Sequence, residues 1–193
     1  MMSSNKGIES FGKEHIISII NKIYNNYNLP FISIGSEIGT LENIANIEWI
    51  NCISNSKYYI NHQLSIDNLI KNNKSIIGNC ILFLNWCEPN QSNYDYEAII
   101  KLKPKAVLSI YEVFDNSYGS AGSKAFYEWS IDSSNDYHLR EMYKLIPSNN
   151  SYNDYVMDIR IGLWQHDSIF NDDDAIIIYL ESKIEHENFC YIM

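Results

Sequence analysis

The sequence predicts an α/β fold, a mostly parallel sheet whose C-terminal strands turn antiparallel. Two observations carry that reading. Over residues 30–130, short β-branched apolar runs alternate with stretches of helical periodicity, the pattern of strand–helix–strand units. The runs FISI, ILFLN and AVLSIY are dominated by apolar residues on both alternating faces, as in strands covered on both sides. The last third instead holds three strand-like runs separated by polar turns, and VMDIRIGL alternates in a way that suits an antiparallel strand with one wetter face.

The elements follow in order. Glu9 to Tyr27 places Phe11, Ile16, Ile19, Ile20, Ile23, Tyr24 and Tyr27 at helical spacing, so a helix is expected over about 9–28, ended by NYNLP. FISI is the first strand, Gly35 to Gly39 a turn, Thr40 to Ala45 a short helical stretch, and IEWINCI a second strand. Tyr58 to Lys71 reads as helical or mixed. The later part of IIGNCILFLNW is a buried strand, and Tyr94 to Leu102 a helix with Tyr94, Ala98, Ile99 and Leu102 on one face. AVLSIY is the next buried strand. GSAGS opens a helix, SKAFYEWSI, either as a cap through Ser120 or Ser123 or as an anion-binding nest. YHLREMYKLI, YVMDIRIGLW and AIIIYL are the closing strands, expected to run antiparallel over about 137–193.

The 193 residues suit one domain, 1–193, and no linker or repeat divides them. The net charge of −10 repels phosphate backbones, which argues against tight nucleic-acid binding and leaves small molecules and partner proteins, basic ones included. Cys52, Cys80, Cys87 and Cys190 form no CxxC pair and lie in or beside apolar runs, so reduced buried thiols are expected. The five histidines are scattered, and no Cys/His cluster has zinc spacing, so no metal is expected. No leader pattern or membrane-length apolar run is present, which points to a cytoplasmic protein.

The chemistry centres on FISIGSEIGTLE. In an open α/β sheet, ligands bind at the carboxyl end of the strands, where glycines let the backbone turn and approach. The stretch Ser33-Ile34-Gly35-Ser36-Glu37-Ile38-Gly39 resembles the acidic–x–Gly–x–Gly–x–Gly loop of class I S-adenosylmethionine-dependent methyltransferases. ILFLNWCEPN then resembles that family's Asn/Asp-Pro-Pro-Tyr/Phe motif, with Asn85 at the strand end and Glu88 and Pro89 beyond it. The resemblance spans about residues 30–130. It implies a three-layer Rossmann-like methyltransferase fold and S-adenosylmethionine as cofactor. The cofactor would lie against Ser33, Gly35, Ser36, Glu37, Gly39, Ser54, Asn55 and Asn85. Asn85, Glu88 and Tyr111, with Glu112 beside them, are the candidate catalytic groups at the strand ends.

The departures matter. Glu37 stands where the family has glycine, Ser33 where it has an acid, and Ser54 where an acid grips the ribose. Each lost charge-assisted bond is worth about 1.5–3 kcal/mol. Two readings therefore stay open: a methyltransferase of unknown substrate with an altered cofactor loop, or an inactive methyltransferase-fold protein serving as a binding or regulatory subunit. A nucleotide-binding enzyme of another kind is disfavoured, since neither GxGxxG nor a P-loop occurs. Trp86, Tyr118 and Trp129 are candidate stacking rings, with core packing the alternative.

Overall fold

The computed structural model describes residues 13–35, 49–53, 66–85, 87, 93–112, 122–146, 159–169 and 177–182. Their elements are α1 (Lys13–Tyr27), β1 (Phe31–Ile34), β2 (Trp49–Ile53), α2 (Ile66–Asn72), β3 (Ile81–Asn85), α3 (Tyr94–Leu102), β4 (Ala106–Glu112), α4 (Lys124–Ile131), β5 (Tyr137–Ile146), β6 (Ile159–His166) and β7 (Ile177–Ser182), with one 3₁₀ turn at Lys74–Ile76. The fold is α/β. The expected helical stretch at Thr40 to Ala45 lies outside the described residues.

Seven strands form one mixed sheet in the order β2-β1-β3-β4-β6-β5-β7. The pairs β1–β2, β1–β3 and β3–β4 are parallel. β6 pairs antiparallel with both β4 and β5, and β7 pairs parallel with β5. β6 alone therefore runs against the other strands. The expectation of an antiparallel C-terminal edge is corrected here: the reversed strand is internal, and the edge strand β7 runs parallel to its neighbour. The reason lies in pairing order. β6 inserts between β4 and β5, so β5 recovers the direction of β4.

Helices cover both faces of the sheet. α1 carries an isoleucine stripe, Ile16, Ile19, Ile20 and Ile23, that packs against Phe31, Phe83, Leu108, Ile161 and Leu163. Each such side chain withdrawn from water contributes about 1.5–3 kcal/mol. On the other face, α2, α3 and α4 supply Leu69, Ile99, Leu102, Phe126 and Trp129 against Ile32, Leu82, Leu84, Val107 and Trp164. The central strands β1 and β3 are buried at every position, which accounts for their largely apolar sequence.

Two helices stop by the same device. Asn28 and Lys103 take left-handed φ values of 48° and 46°. Their N–H groups close onto Tyr24 O and Ile99 O at 3.1 and 2.9 Å, and Pro30 and Pro104 follow soon after. No helix among the described residues is long and apolar enough to cross a membrane.

Because Ile20 is fully buried beneath the only described helix on its face, Ile20→Ala is expected to cost about 2–5 kcal/mol, read from urea unfolding midpoints at constant slope.

Candidate functional site at the carboxyl edge of the sheet

The chain leaves β1 for β2 on one side of the sheet and then crosses to β3 on the other. The order of strands therefore reverses between β1 and β3, and their carboxyl ends flank the crevice where open α/β sheets take ligands. Gly35 stands on one lip with φ +94°, and Asn85 on the other. A Cβ on Gly35 would come within 2.6 Å of the Asn85 carbonyl oxygen and 2.9 Å of Cys87 Sγ. Glycine is thus required by both conformation and close approach.

Behind this lip sits Cys87, 2% exposed, with its thiol 3.7 Å from the Ile34 carbonyl oxygen. Burial, and then the nearby Asp95 carboxylate, push its pKa upward against a hydrogen bond with Tyr94. Cys80 is also a buried free thiol, pushed by burial to about 12. Both are inert structural thiols rather than nucleophiles. The side chain of Cys52 and the whole of Cys190 lie outside the described residues.

A buried carboxylate ties the same edge together. Asp95 is fully buried in the first turn of α3. Its carboxylate accepts from Ser123 N at 2.7 Å, from Ser123 Oγ at 2.6 Å and from Tyr96 N at 2.7 Å. Ser123 in turn is the N-cap of α4, accepting from Phe126 N at 3.1 Å. The neighbouring Gly122 N–H donates to Cys87 O at 2.6 Å. Of the two expectations for GSAGS, the capping one holds at Ser123. The anion position at this helix start is filled by the chain's own Asp95.

Ser33 is fully buried within β1, and Asn85 is 5% exposed. Strand alternation and register place both on the α1 face: Ser33 pairs with Phe83, and Asn85 with Ile110, all beside residues of the core under α1. Tyr111 is one residue on and faces the opposite core. Its ring centroid lies 5.9 Å from Phe126 and 5.6 Å from Trp164. Asn85 and Tyr111 are therefore not brought together on one face. Trp129 packs against Phe126, Tyr137 and Trp164, as the core alternative required. The Trp164 ring lies over Gly162, where a Cβ would collide with it. Ser36, Glu37, Gly39, Ser54, Asn55, Trp86, Glu88 and Tyr118, together with the side chain of Glu112, lie outside the described residues.

Sequence reasoning missed Asp95. The signal was present: Asp95, Ala98, Ile99 and Leu102 fall at i, i+3, i+4 and i+7, one buried face of α3. A carboxylate on an apolar stripe demands internal donors. Among the described residues, no group of three or more His, Cys, Asp or Glu is placed to hold a metal ion. No protein-family model and no curated protein matches this chain.

Gly35→Ala is expected to destabilise the fold by about 1–3 kcal/mol, measured by denaturant titration, through the left-handed φ and the clash with a backbone carbonyl. A pH dependence follows from the thiols. Folding raises the pKa of Cys80 and Cys87, so their contribution is intact below 9.0 and is lost as the pH rises toward about 12, where the unfolded chain ionises first. Tyr137 shifts in the same direction, chiefly by burial. Urea midpoints should fall over that alkaline range, and Cys80→Ala should flatten the fall.

Proposed function

We propose that the chain is a Rossmann-like domain of the class I methyltransferase type that binds S-adenosylmethionine at the β1–β3 crevice. The observation that carries this reading is the reversal of strand order between β1 and β3, with Gly35 at φ +94° on one lip and Asn85 on the other. The resemblance of the Gly35–Gly39 loop and of the segment after Asn85 to that family's motifs supports it. Four parallel strands followed by a reversed strand are compatible with it.

In this reading Gly35, Ser36, Glu37 and Gly39 hold the amino-acid end of the cofactor, and Ser54 and Asn55 the ribose. The cofactor supplies an activated methyl group. The chain's task is to place a nucleophile in line with it and exclude water. Asn85, buried at a strand end, is the group best placed to orient an amine through its side-chain amide. Glu88 is proposed as a base, and Tyr111 as a group beneath the opposite face.

A second reading has its own observation. The Cβ direction of Gly35 points at Asn85 and Cys87, so packing alone accounts for the glycine, and the buried Cys87 lies against Gly35 and Ile34. That favours a domain that keeps the architecture and serves as a binding or regulatory subunit.

Calorimetric titration with S-adenosylmethionine and S-adenosylhomocysteine separates the two. The first reading predicts saturable binding by the natural protein, tightened about tenfold or more in Glu37→Gly by removal of a carboxylate facing the cofactor's own. Binding by Glu37→Gly alone would move the assignment to the second reading. Binding by neither would overturn the cofactor assignment.

A further inference from the structure

Away from the crevice, toward the amino ends of the parallel strands, α3 and α4 leave a groove of about 610 Å³ between them. Each helix contributes three positions and the residue that ends it: Tyr96, Ile99 and Ile100 of α3 with Lys103, and Ala125, Glu128 and Trp129 of α4 with Asp132. The floor is apolar and aromatic. Ile100 is 51% exposed, an aliphatic side chain on the outer side of a helix whose inner positions Ala98, Ile99 and Leu102 are buried.

The rim is acidic. Glu128, Asp132 and Asp136 stand around the groove, with Lys103 the one lysine or arginine among its lining residues. Two of these carboxylates have local partners: Glu128 lies 3.5 Å from Lys124, and Asp132 accepts from Ser134 N and Oγ at 2.8 and 2.7 Å. Both pairs are solvent-exposed and therefore weak, so the rim remains open to a competing cation. The groove is also partly open to solvent. A small molecule would not be enclosed there as in an ordinary ligand pocket.

We propose that this groove docks a basic amphipathic helical segment of a partner protein, its aliphatic face against Ile100 and Trp129 and its lysines or arginines against the acidic rim. Two helical stripes flanking an apolar trough match the way an amphipathic helix is received by a groove. Charge complementarity selects a basic occupant: the groove's rim and the chain's net charge of −10 have the same sign. This inference does not rest on the cofactor reading, because the groove shares no residue with the Gly35 lip.

The test uses a peptide of about fourteen residues carrying leucine and lysine at helical spacing. A scrambled peptide of identical composition, without an apolar face, is the control. Amide shifts of the full-length protein are followed by NMR, and affinities by fluorescence anisotropy. The expected result is saturable shifts confined to residues 96–103 and 125–137 with the amphipathic peptide. Ile100→Glu should weaken that binding about tenfold even though it makes the protein more acidic, because it removes the apolar anchor. Glu14→Gln, a charge change at an exposed position of α1 on the other face of the sheet, should leave it unchanged. Equal binding of the scrambled peptide, shifts spread over the acidic surface, or undiminished binding by Ile100→Glu would each overturn the proposal.

Discussion

One buried carboxylate organises the working edge of this protein. Asp95 has no access to water, and burying a charge without partners is prohibitive. Besides the adjacent Tyr96 amide, its donors are the amide and the hydroxyl of Ser123, brought within hydrogen-bond reach from 28 residues away. Hydrogen bonds to a charged acceptor contribute about 1.5–3 kcal/mol each, so the geometry is strongly enforced. The start of α4 is thereby pinned to the start of α3. Gly122 then meets the Cys87 carbonyl, and Cys87 lies against Gly35 and Ile34. The ends of β1 and β3 and the starts of α3 and α4 thus form a single connected edge.

That edge and the groove between α3 and α4 are two consequences of the same pinning. At their amino-terminal ends the helices are held together by Asp95 and Ser123. Toward their carboxyl ends the link is longer, since Asn135 Nδ2 donates to Trp129 O at 2.6 Å and Tyr137 Oη donates to Pro104 O at 2.8 Å, and the trough lined by Ile100 and Trp129 lies between the helices. Beneath both, the aromatic group of Tyr111, Phe126, Trp129 and Trp164 fills the space between α4 and the sheet, its rings tilted or edge-on to one another. The indole of Trp164 also donates to Ser130 O at 3.2 Å, so the same ring that packs the core fixes the last turn of α4.

What could be read from the sequence divides along physical lines. α3 and β5 match their expected limits, Tyr94–Leu102 and Tyr137–Ile146, because a strong local pattern and a flanking turn define each. β1, β3 and β4 were legible because strands buried on both faces cannot carry polar residues freely. Strand order was not legible. Whether β6 pairs beside β4 or at the edge depends on which apolar surfaces meet over long chain separations, and no local pattern encodes that. At the candidate site, Gly35 and Asn85 were found from their positions at strand ends. Asp95 was passed over because a carboxylate in the first helical turn is ordinarily a solvated one that favours the helix dipole. Only its phase relative to Ala98, Ile99 and Leu102 marks it as inward-facing.

The claim that Asp95 holds the edge together is tested most directly by native-state hydrogen exchange at the amides of Gly122 and Ser123, in the natural protein and in Asp95→Asn. These amides belong to a loop and a helix cap, which ordinarily exchange fast. If the account is right, both exchange slowly in the natural protein, near the rate of global unfolding. The Ser123 amide then becomes fast in Asp95→Asn, with a smaller change at residues in the core of β3. Fast exchange in the natural protein, or protection untouched by Asp95→Asn, would contradict it.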